Sequence, residues 1–359
     1  MRIEQGGTET RRSGGLNQMD TLGAPRGSRS PKPQNPPRLR ASLFILLACA
    51  PAIICLAAAT PAGAAGLYFS DRGVRPMGRA GAFVAGADDA SAIWYNPAGL
   101  ADAKSQFLFD AAWLRFSATY DRELRVLDAD NVYRTVRSPQ VSGSSPFIPI
   151  PTIAATYQFG KEKEWTIAGG LIAPYVAITT YPETVNGQPS PARYASIRSY
   201  DGTLLAIPGI WAAYKPTEAF RFGLGLQALV GVYRTTVIYS VSPEDRLAGA
   251  PEQPEFDADS QITVGPIFAP TANMGVTVVP DETIRFGLSG QLPTVISSTA
   301  KIRVRLPTNS VFDDARVSGD TVHVRFKLPA VFRFGVELRP WKTLRAEAAY
   351  VRELWSIHE

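Results

Sequence analysis

Apolar and polar residues alternate with a period of two along several segments in the second half of the chain. In the segment 220–233, apolar side chains occupy every second position, and mostly small or polar side chains fill the positions between them. Segments 284–292 and 331–338 show the same alternation, with arginine and glycine recurring on the polar face. A period of two predicts β-strands that have one apolar and one polar face.

Short polar turns and longer connections alternate between these strands. The short turns lie at 159–165, 215–223, 279–287 and 339–347, and the longer connections, rich in proline, glycine and acids, lie at 123–146, 182–200, 242–261 and 306–320. Two strands, one short turn and one long loop per unit predict an antiparallel meander with its long loops at one end. Outer-membrane barrels have this asymmetry.

Strand length separates a membrane barrel from a soluble β-sandwich, which would also alternate. Sandwich strands average about 5–6 residues, whereas segments 219–241 and 283–305 can each form one long strand. In lipid, the apolar face points outward, and only a closed barrel satisfies every backbone donor and acceptor. The sequence therefore predicts an all-β fold, an antiparallel transmembrane outer-membrane β-barrel over residues 105–359.

The N-terminal region is typical of a targeting segment. Residues 1–37 are rich in proline, glycine, serine and arginine and predict a disordered extension, within which Met19 is an alternative start. Residues 38–64 combine two arginines, an apolar run and a small-residue exit, which predicts a signal peptide cleaved near Ala64. A membrane anchor and a lipoprotein site ending at Cys49 are the alternatives. Export together with the predicted barrel predicts a location in the outer membrane of a Gram-negative bacterium.

Charge and residue usage narrow the function classes. The net charge of +5 comes from residues 1–64, so that residues 65–359 are formally neutral and nucleic-acid binding loses its support. Both cysteines lie in the leader, and the chain has only two histidines, His323 and His358. No Cys/His metal cluster and no credible Ser-His-Asp set can be assembled. The sequence predicts neither an enzyme nor a cofactor.

The segment GRAGAFVAGADDASAIWYNPAGLA, residues 78–101, resembles the N-terminal hatch of the FadL/TodX family of outer-membrane transporters for hydrophobic compounds. The positions that match the hatch pattern are Asp88, Asp89, Ser91, Asn96, Pro97 and Ala98. The resemblance covers residues 65–359 and is looser in the barrel. It implies an N-terminal, partly helical hatch at 65–104 that fills a barrel of about fourteen strands.

This resemblance implies passive uptake of long-chain fatty acids or other hydrophobic molecules, such as aromatic hydrocarbons. The substrate would bind in an apolar pocket and leave sideways through a kinked third strand, without exposing its apolar surface to water at about 0.8 kcal/mol per CH₂. The implied partners are the substrate, outer-membrane lipid and lipopolysaccharide, and the protein would be a monomer. No ATP motif is present and none is needed for downhill diffusion.

The third predicted strand, residues 165–181, holds the candidates for this lateral opening. Gly169 and Gly170, followed by Ala173 and Pro174, could break its ladder, because proline has no backbone donor. A plain β-bulge is the alternative interpretation.

The remaining polar candidates each have two interpretations. Asn96-Pro97-Ala98 is a turn within the hatch that either supports the fold or contacts the substrate. The predicted inward basic residues are Arg221, Arg285 and Arg333. They would either hold a substrate carboxylate or, as we favour, pair with Asp88, Asp89 or a barrel glutamate. Acids of the 242–261 loop could bind a divalent cation, but a solvated loop is the simpler explanation.

The strand count disagrees with the resemblance. The pattern predicts about nine strands where the family has about fourteen, and single-chain bacterial barrels are normally even-numbered. We therefore expect an incomplete barrel that lacks about five C-terminal strands. Two other function classes stay open: a structural or adhesive surface barrel without transport, and a barrel lipase, which needs a serine-histidine pair on adjacent strands.

Overall fold

The structure is a computed structural model that describes residues 72–113, 115, 117–127, 130, 132–144, 149–173, 180–195, 203–241 and 253–358. The predicted extension (1–37), the predicted signal peptide (38–64) and residues 65–71 of the predicted hatch lie outside these ranges. In the part that is described, no helix is long and apolar enough to cross a membrane.

The hatch residues form short helical pieces, as the resemblance implied. Helix α1 spans Val74–Met77, α2 spans Ala92–Tyr95, and a 3-10 helix spans Pro97–Asp102. The break between the last two lies at Asn96, whose extended backbone ends α2. Its side chain then accepts a hydrogen bond from the backbone N–H of Ala98, and Pro97 provides a fixed φ at the first position of the 3-10 helix.

Seventeen strands follow the hatch in the described residues. In chain order they are β1 (Gln106–Trp113), β2 (Ser117–Tyr120), β3 (Glu123–Leu127), β4 (Tyr133–Arg137), β5 (Val141–Ser144), β6 (Pro149–Phe159), β7 (Trp165–Ile172), β8 (Thr184–Val185), β9 (Gln188–Pro189), β10 (Leu204–Tyr214), β11 (Phe220–Ser240), β12 (Asp257–Asp281), β13 (Ile284–Gln291), β14 (Thr294–Arg305), β15 (Thr321–Leu328), β16 (Ala330–Trp341) and β17 (Leu344–Leu354). The loops also contain short 3-10 helices at Pro191–Tyr194, Pro254–Phe256, Ser310–Phe312 and Trp355–His358.

One antiparallel sheet contains eleven of these strands. Its main path runs β1-β6-β7-β10-β11-β12-β13-β16-β17, while β14 pairs with β12 and β15. Three small two-stranded ladders, β2–β5, β3–β4 and β8–β9, lie in the long loops. Within the described residues, β1 and β17 each pair with one neighbour.

The eleven strands correspond to nine wall-forming segments, here called spans, which is the number of strands that the alternation predicted. β13 and β14 are one span interrupted at residues 292–293, and β15 and β16 are one span interrupted at Pro329. Pro293 and Pro329 lie opposite each other between the pairs Gln291↔Val331 and Thr294↔Leu328. Proline supplies no N–H, so both spans lose their ladder at the same level.

Burial follows the predicted inside-out pattern. On β11, the outward Phe222, Leu224 and Leu226 are 45–58% exposed, whereas Arg221 and Gln227 are 5% exposed. Residues 83–101 are almost all buried, so the hatch forms the centre of the hydrophobic cluster and the polar faces of the strands pack around it. The apolar faces of the strands are left to face lipid.

Candidate functional site: the hatch, the inner wall and the apolar interior

Asn96 ties two segments of the hatch to the inner wall. Its side chain is fully buried, and the amide nitrogen donates to the carbonyl of Val84 at 2.8 Å and to Thr277 Oγ1 on β12 at 3.0 Å. The amide oxygen accepts from the N–H of Ala98 at 3.1 Å. The geometry therefore places Asn96, Pro97 and Ala98 in the hatch scaffold.

Four inward glycines give the hatch room to approach the wall. Gly223 on β11 pairs with Gly275 on β12, and Gly287 on β13 pairs with Gly335 on β16. A Cβ atom at Gly223 would overlap the backbone of Pro97, and one at Gly275 would overlap the amide oxygen of Asn96. The hatch backbone thus packs directly on the strand backbones.

The inward arginines precede three of these glycines by two positions, in the repeated order Arg-Phe-Gly. Arg221 Nε lies 3.1 Å from Asp102 Oδ2, and Arg285 Nη2 also binds this carboxylate oxygen. The guanidinium of Arg333 lies over the ring of Trp94 at 5.4 Å. Asp102, at the end of the 3-10 helix, therefore binds Arg221 and Arg285 in place of the predicted hatch acids Asp88 and Asp89. Of the predicted glutamate partners, Glu218 in the short turn before β11 lies 3.9 Å from Arg221 Nη2.

Those two acids, Asp88 and Asp89, bind other arginines. Arg75 reaches both, at 2.8 Å and 2.5 Å, and Arg345 on β17 lies 2.8 Å from Asp88. Burial acts to lower the pKa of Arg75, but the two carboxylates outweigh it and hold the pKa above its usual value. Asp89 also accepts hydrogen bonds from the backbone N–H and the hydroxyl of Ser91. These residues fix the loop between the two hatch helices.

Sequence reasoning missed a second carboxylate anchor on β16 and β17. Glu347 accepts from the backbone N–H groups of Val84 and Ala85 at 2.7 Å each and from that of Gly86 at 3.0 Å. Its other contact is Arg79 Nη2 at 2.9 Å. A carboxylate that accepts several backbone N–H bonds holds a loop firmly. The sequence signal that could have indicated this anchor was a glutamate at an inward-facing position of a strand.

Glu337 completes this anchor and is fully buried. Its carboxylate forms ion pairs with the guanidinium groups of Arg79 at 2.8 Å and of Arg339 and Arg345 at 2.7 Å each. The alternation put Glu337 on the inward face, but the partner in the hatch is Arg79, far away in sequence. Breaking a buried pair by removing one partner costs about 3–5 kcal/mol.

The third strand differs from its prediction. Gly169 and Gly170 are paired on both sides, with Ala155 and Ala154 of β6 and with Ile210 and Gly209 of β10. The two glycines therefore do not break the ladder, because glycine keeps its backbone N–H. In the described residues, the ladders of β7 run to Ile172, and residues 174–179 of the predicted strand lie outside the description. Thr180, at its predicted end, forms an antiparallel bridge with Ser144.

Ala173 follows directly after Ile172. Its N–H donates to the carbonyl of Pro151 at 3.2 Å, and its own carbonyl accepts from the guanidinium of Arg72 in the hatch. Pro174 lies outside the described residues. The first described residue of the hatch thus contacts the end of the third strand of the large sheet.

An apolar layer continues from the hatch into the interior of the sheet. Its members are inward and at most 7% exposed: Ile172, Ile207, Leu229, Ile267, Ile296 and Leu328. Gln227 lies on the same face of β11 as Leu229, and neither of its amide atoms has a hydrogen-bond partner. This layer of described residues therefore offers apolar contact to a bound molecule.

The acidic loop has structural partners where it is described. Asp257 binds Arg193 Nε at 2.6 Å and accepts from the hydroxyl of Tyr194 at 2.5 Å, and Asp259 pairs with Arg305. Burial, together with the bond to Asp257, raises the pKa of Tyr194. Residues 242–252 lie outside the description. In the ranges that the structure describes, no group of acidic, histidine or cysteine side chains could hold a metal ion.

A serine and a histidine do meet on adjacent strands. Ser297 Oγ on β14 lies 3.0 Å from His323 Nε2 on β15, and the contact is exposed on the outer face. A hydrolytic site also needs a group that orients the histidine. In the described part of the chain, no acidic side chain hydrogen-bonds to this imidazole, so the pair forms a cross-strand hydrogen bond without a triad.

The fold and these anchors are those of an outer-membrane β-barrel plugged by an N-terminal hatch, with the wall open between β1 and β17 in the described residues. Residues 55–359 match the family model described as outer membrane protein transport protein (OMPP1/FadL/TodX), and the chain belongs to this family. Its members transport hydrophobic compounds and are not enzymes. No curated protein sequence matches the chain.

Solved structures share the fold at low sequence identity. A FadL homologue of Pseudomonas aeruginosa is 12% identical with a TM-score of 0.56, covering 82% of this chain and 70% of its own. The Ralstonia pickettii toluene transporter TbuX is 17% identical with a TM-score of 0.52, covering 80% and 73%. The P. putida toluene transporter TodX is 14% identical with a TM-score of 0.51, covering 80% and 72%.

Proposed function

We propose that the protein takes up hydrophobic small molecules passively across the outer membrane, binding them in the apolar interior and releasing them sideways into the bilayer. Membership of the family carries the general activity. The observation that supports the route is an apolar interior above a hatch that the wall holds closed. A signal peptide cleaved near Ala64 and a monomeric barrel surrounded by lipid and lipopolysaccharide belong to the same proposal.

The anchored hatch argues against a water-filled axial channel. Asn96, Asp102 and Glu347 each connect the hatch to a different part of the wall. The four inward glycines of the wall let the two backbones touch. A hydrophobic molecule that reaches the interior would have to open this contact to continue along the axis. A lateral route keeps it in apolar surroundings, where each CH₂ avoids about 0.8 kcal/mol of exposure.

The arginines of the inner wall favour a substrate without a carboxylate because they are buried and already bound. Arg221 and Arg285 are 5% and 4% exposed, and both bind the carboxylate of Asp102. The three groups keep one net positive charge, but burial leaves neither guanidinium accessible to the carboxylate of a fatty acid. Two of the similar structures are toluene transporters. We therefore place aromatic hydrocarbons before long-chain fatty acids as the substrate class, and both belong in the test.

The end of β7 is one candidate for the release point. Within the described residues, Ile172 is the last paired residue of both ladders of β7, and the hatch contacts the next residue through Arg72. A molecule in the interior layer that contains Ile172 and Ile207 would lie beside this position.

Uptake of labelled toluene and labelled oleate, in an outer-membrane mutant that carries the full-length gene, tests the proposal. Leu229→Ala removes an interior side chain, and we expect the half-saturating concentration of the substrate to rise about tenfold, equivalent to roughly 1.4 kcal/mol of lost apolar contact. Leu226→Ala is the matched control on the same strand, because its side chain faces lipid. A protein that inserts normally and takes up neither compound is a structural or adhesive surface barrel.

A further inference from the structure

The wall has an interruption between β12 and the span formed by β13 and β14. β12 pairs with β13 from Asn273 to Val278, and with β14 from Asp259 to Val264. Between these ladders, no strand pairing joins residues 265–272 to residues 292–299, and the structure describes every residue on both sides. We call this interruption the β12–β14 seam.

A phase shift on each strand explains the seam. Inward positions on β12 follow the odd residues from 277 to 267 and change to Val264 across Gly265-Pro266. On the facing span, inward positions change from Gln291 to Thr294 across residues 292–293 and then follow the even residues to 300. The two shifts lie at opposite ends of the seam. Between them, residues that face each other point to opposite sides, and an antiparallel ladder requires the same side.

Prolines remove donors at the same place. The carbonyls of Pro266 and Ala272 both accept hydrogen bonds from the facing span, so every second residue of β12 between them points its backbone groups into the seam. Pro270 is one of these residues. Two of the four positions from 266 to 272 that face the seam are therefore prolines and supply no N–H.

Three hydrogen bonds close the seam in place of a ladder. Leu292 N–H donates to the carbonyl of Ala272 at 2.9 Å, and Thr271 Oγ1 donates to the carbonyl of Leu292 at 2.9 Å. At the other end, Ser298 Oγ donates to the carbonyl of Pro266 at 3.2 Å. Each such bond contributes about 1 kcal/mol, so the seam is held more weakly than a paired stretch of the same length.

Apolar side chains lie on both faces of the seam. On the inner face, Ile267, Ala269 and Ile296 are buried in the hydrophobic cluster, beside the polar side chains of Thr271, Thr294 and Ser298. Phe268 is 73% exposed and Leu292 is 51% exposed on the outer face. A hydrophobic molecule that crosses the wall here would exchange one apolar surrounding for another.

We propose that the β12–β14 seam is a lateral exit through which a hydrophobic substrate passes from the interior into the bilayer. The proposal rests on the transport function proposed above and places an opening where the structure shows the ladder already interrupted. It is separate from the end of β7, since β10 and β11 lie between them.

Cross-linking the seam tests this exit. Phe268→Cys with Val295→Cys, in the full-length protein, whose two native cysteines lie in the leader, places two thiols on the outer face for a short bis-thiosulfonate linker. We expect the linker to lower the initial rate of toluene uptake about tenfold, because a seam that is linked shut cannot open and release from the interior then limits the rate. Cleaving the linker with reductant should restore the rate. Leu224→Cys with Met274→Cys is the matched control, since these outward residues face each other in the intact β11–β12 ladder.

Weakening the seam should raise the rate of uptake. Thr271→Val with Ser298→Ala removes the two hydroxyl bonds, and we expect the initial rate of uptake to rise a few fold, because fewer bonds then hold the seam closed. Uptake that the seam linker leaves unchanged, although the linked protein is recovered, would overturn the proposed exit and leave the transport function standing. A wild-type protein that takes up neither toluene nor oleate would overturn both.

Discussion

Replacing Asn96 tests whether the hatch is held closed by the contacts that the structure shows. Asn96→Ala leaves three buried groups without their partner: the carbonyl of Val84, the hydroxyl of Thr277 and the N–H of Ala98. Each unsatisfied group costs about 1–3 kcal/mol. We expect the free energy that favours the closed hatch to fall by about 4 kcal/mol, which changes the equilibrium between closed and displaced hatch about a thousandfold.

Conductance across a planar bilayer measures this equilibrium directly, because a displaced hatch leaves a water-filled passage. The variant should show frequent ion-conducting openings, and the wild-type protein should show few. Asn309→Ala is the matched control: Asn309 also accepts a backbone N–H at the start of a 3-10 helix, but this helix lies in a loop outside the hatch. An Asn96→Ala variant that inserts and stays as closed as the wild type would refute the anchoring role of this residue.

Three further predictions concern the wall. Gly275→Ala should lower the midpoint of urea unfolding, since the added Cβ meets the hatch and overpacking costs about 1–3 kcal/mol. Gly290→Ala, with open space around its Cβ, should leave the midpoint unchanged. Equal midpoints in the two variants would count against backbone contact between hatch and wall. Asp102→Asn removes the negative charge beside two buried guanidinium groups and should lower the free energy of unfolding by about 3–5 kcal/mol. The control Asp313→Asn, at an exposed carboxylate, should change the free energy of unfolding in urea little. A similar loss of stability in both variants would contradict the pairing. Ser297→Ala should leave uptake unchanged, and an esterase activity of the wild type that this variant loses would favour the lipase alternative.

The strands and their faces could be predicted because they depend on local periodicity. The Arg-Phe-Gly repeats put arginine and glycine on one face and phenylalanine on the other, and the burial of Arg221 and Gly225 against the exposure of Phe222 follows this pattern. The count of nine spans followed from the same signal. The partly helical hatch came from the resemblance of residues 78–101 and not from periodicity.

Ion-pair partners could not be predicted in the same way. Asp88, Asp89 and Asp102 were equally available as charges, and the choice among them depends on how deep the hatch lies along the strands. The 3-10 helix that begins at Pro97 ends with Asp102 beside β11 and β13, where Arg221 and Arg285 point inward. Such long-range contacts leave no trace in local spacing.

The amino-acid sequence by itself determined the alternation, the inside-out placement of apolar residues, the turns and the strand count, because each depends on residues only two positions apart. Only the tertiary structure decided where the wall is weak. Gly169 and Gly170 suggested a break, yet they keep their backbone donors and remain paired on both sides. The seam arises because phase shifts at Pro266 and at Pro293 fall on neighbouring strands at different heights, and relative height is a property of strand register in the folded sheet.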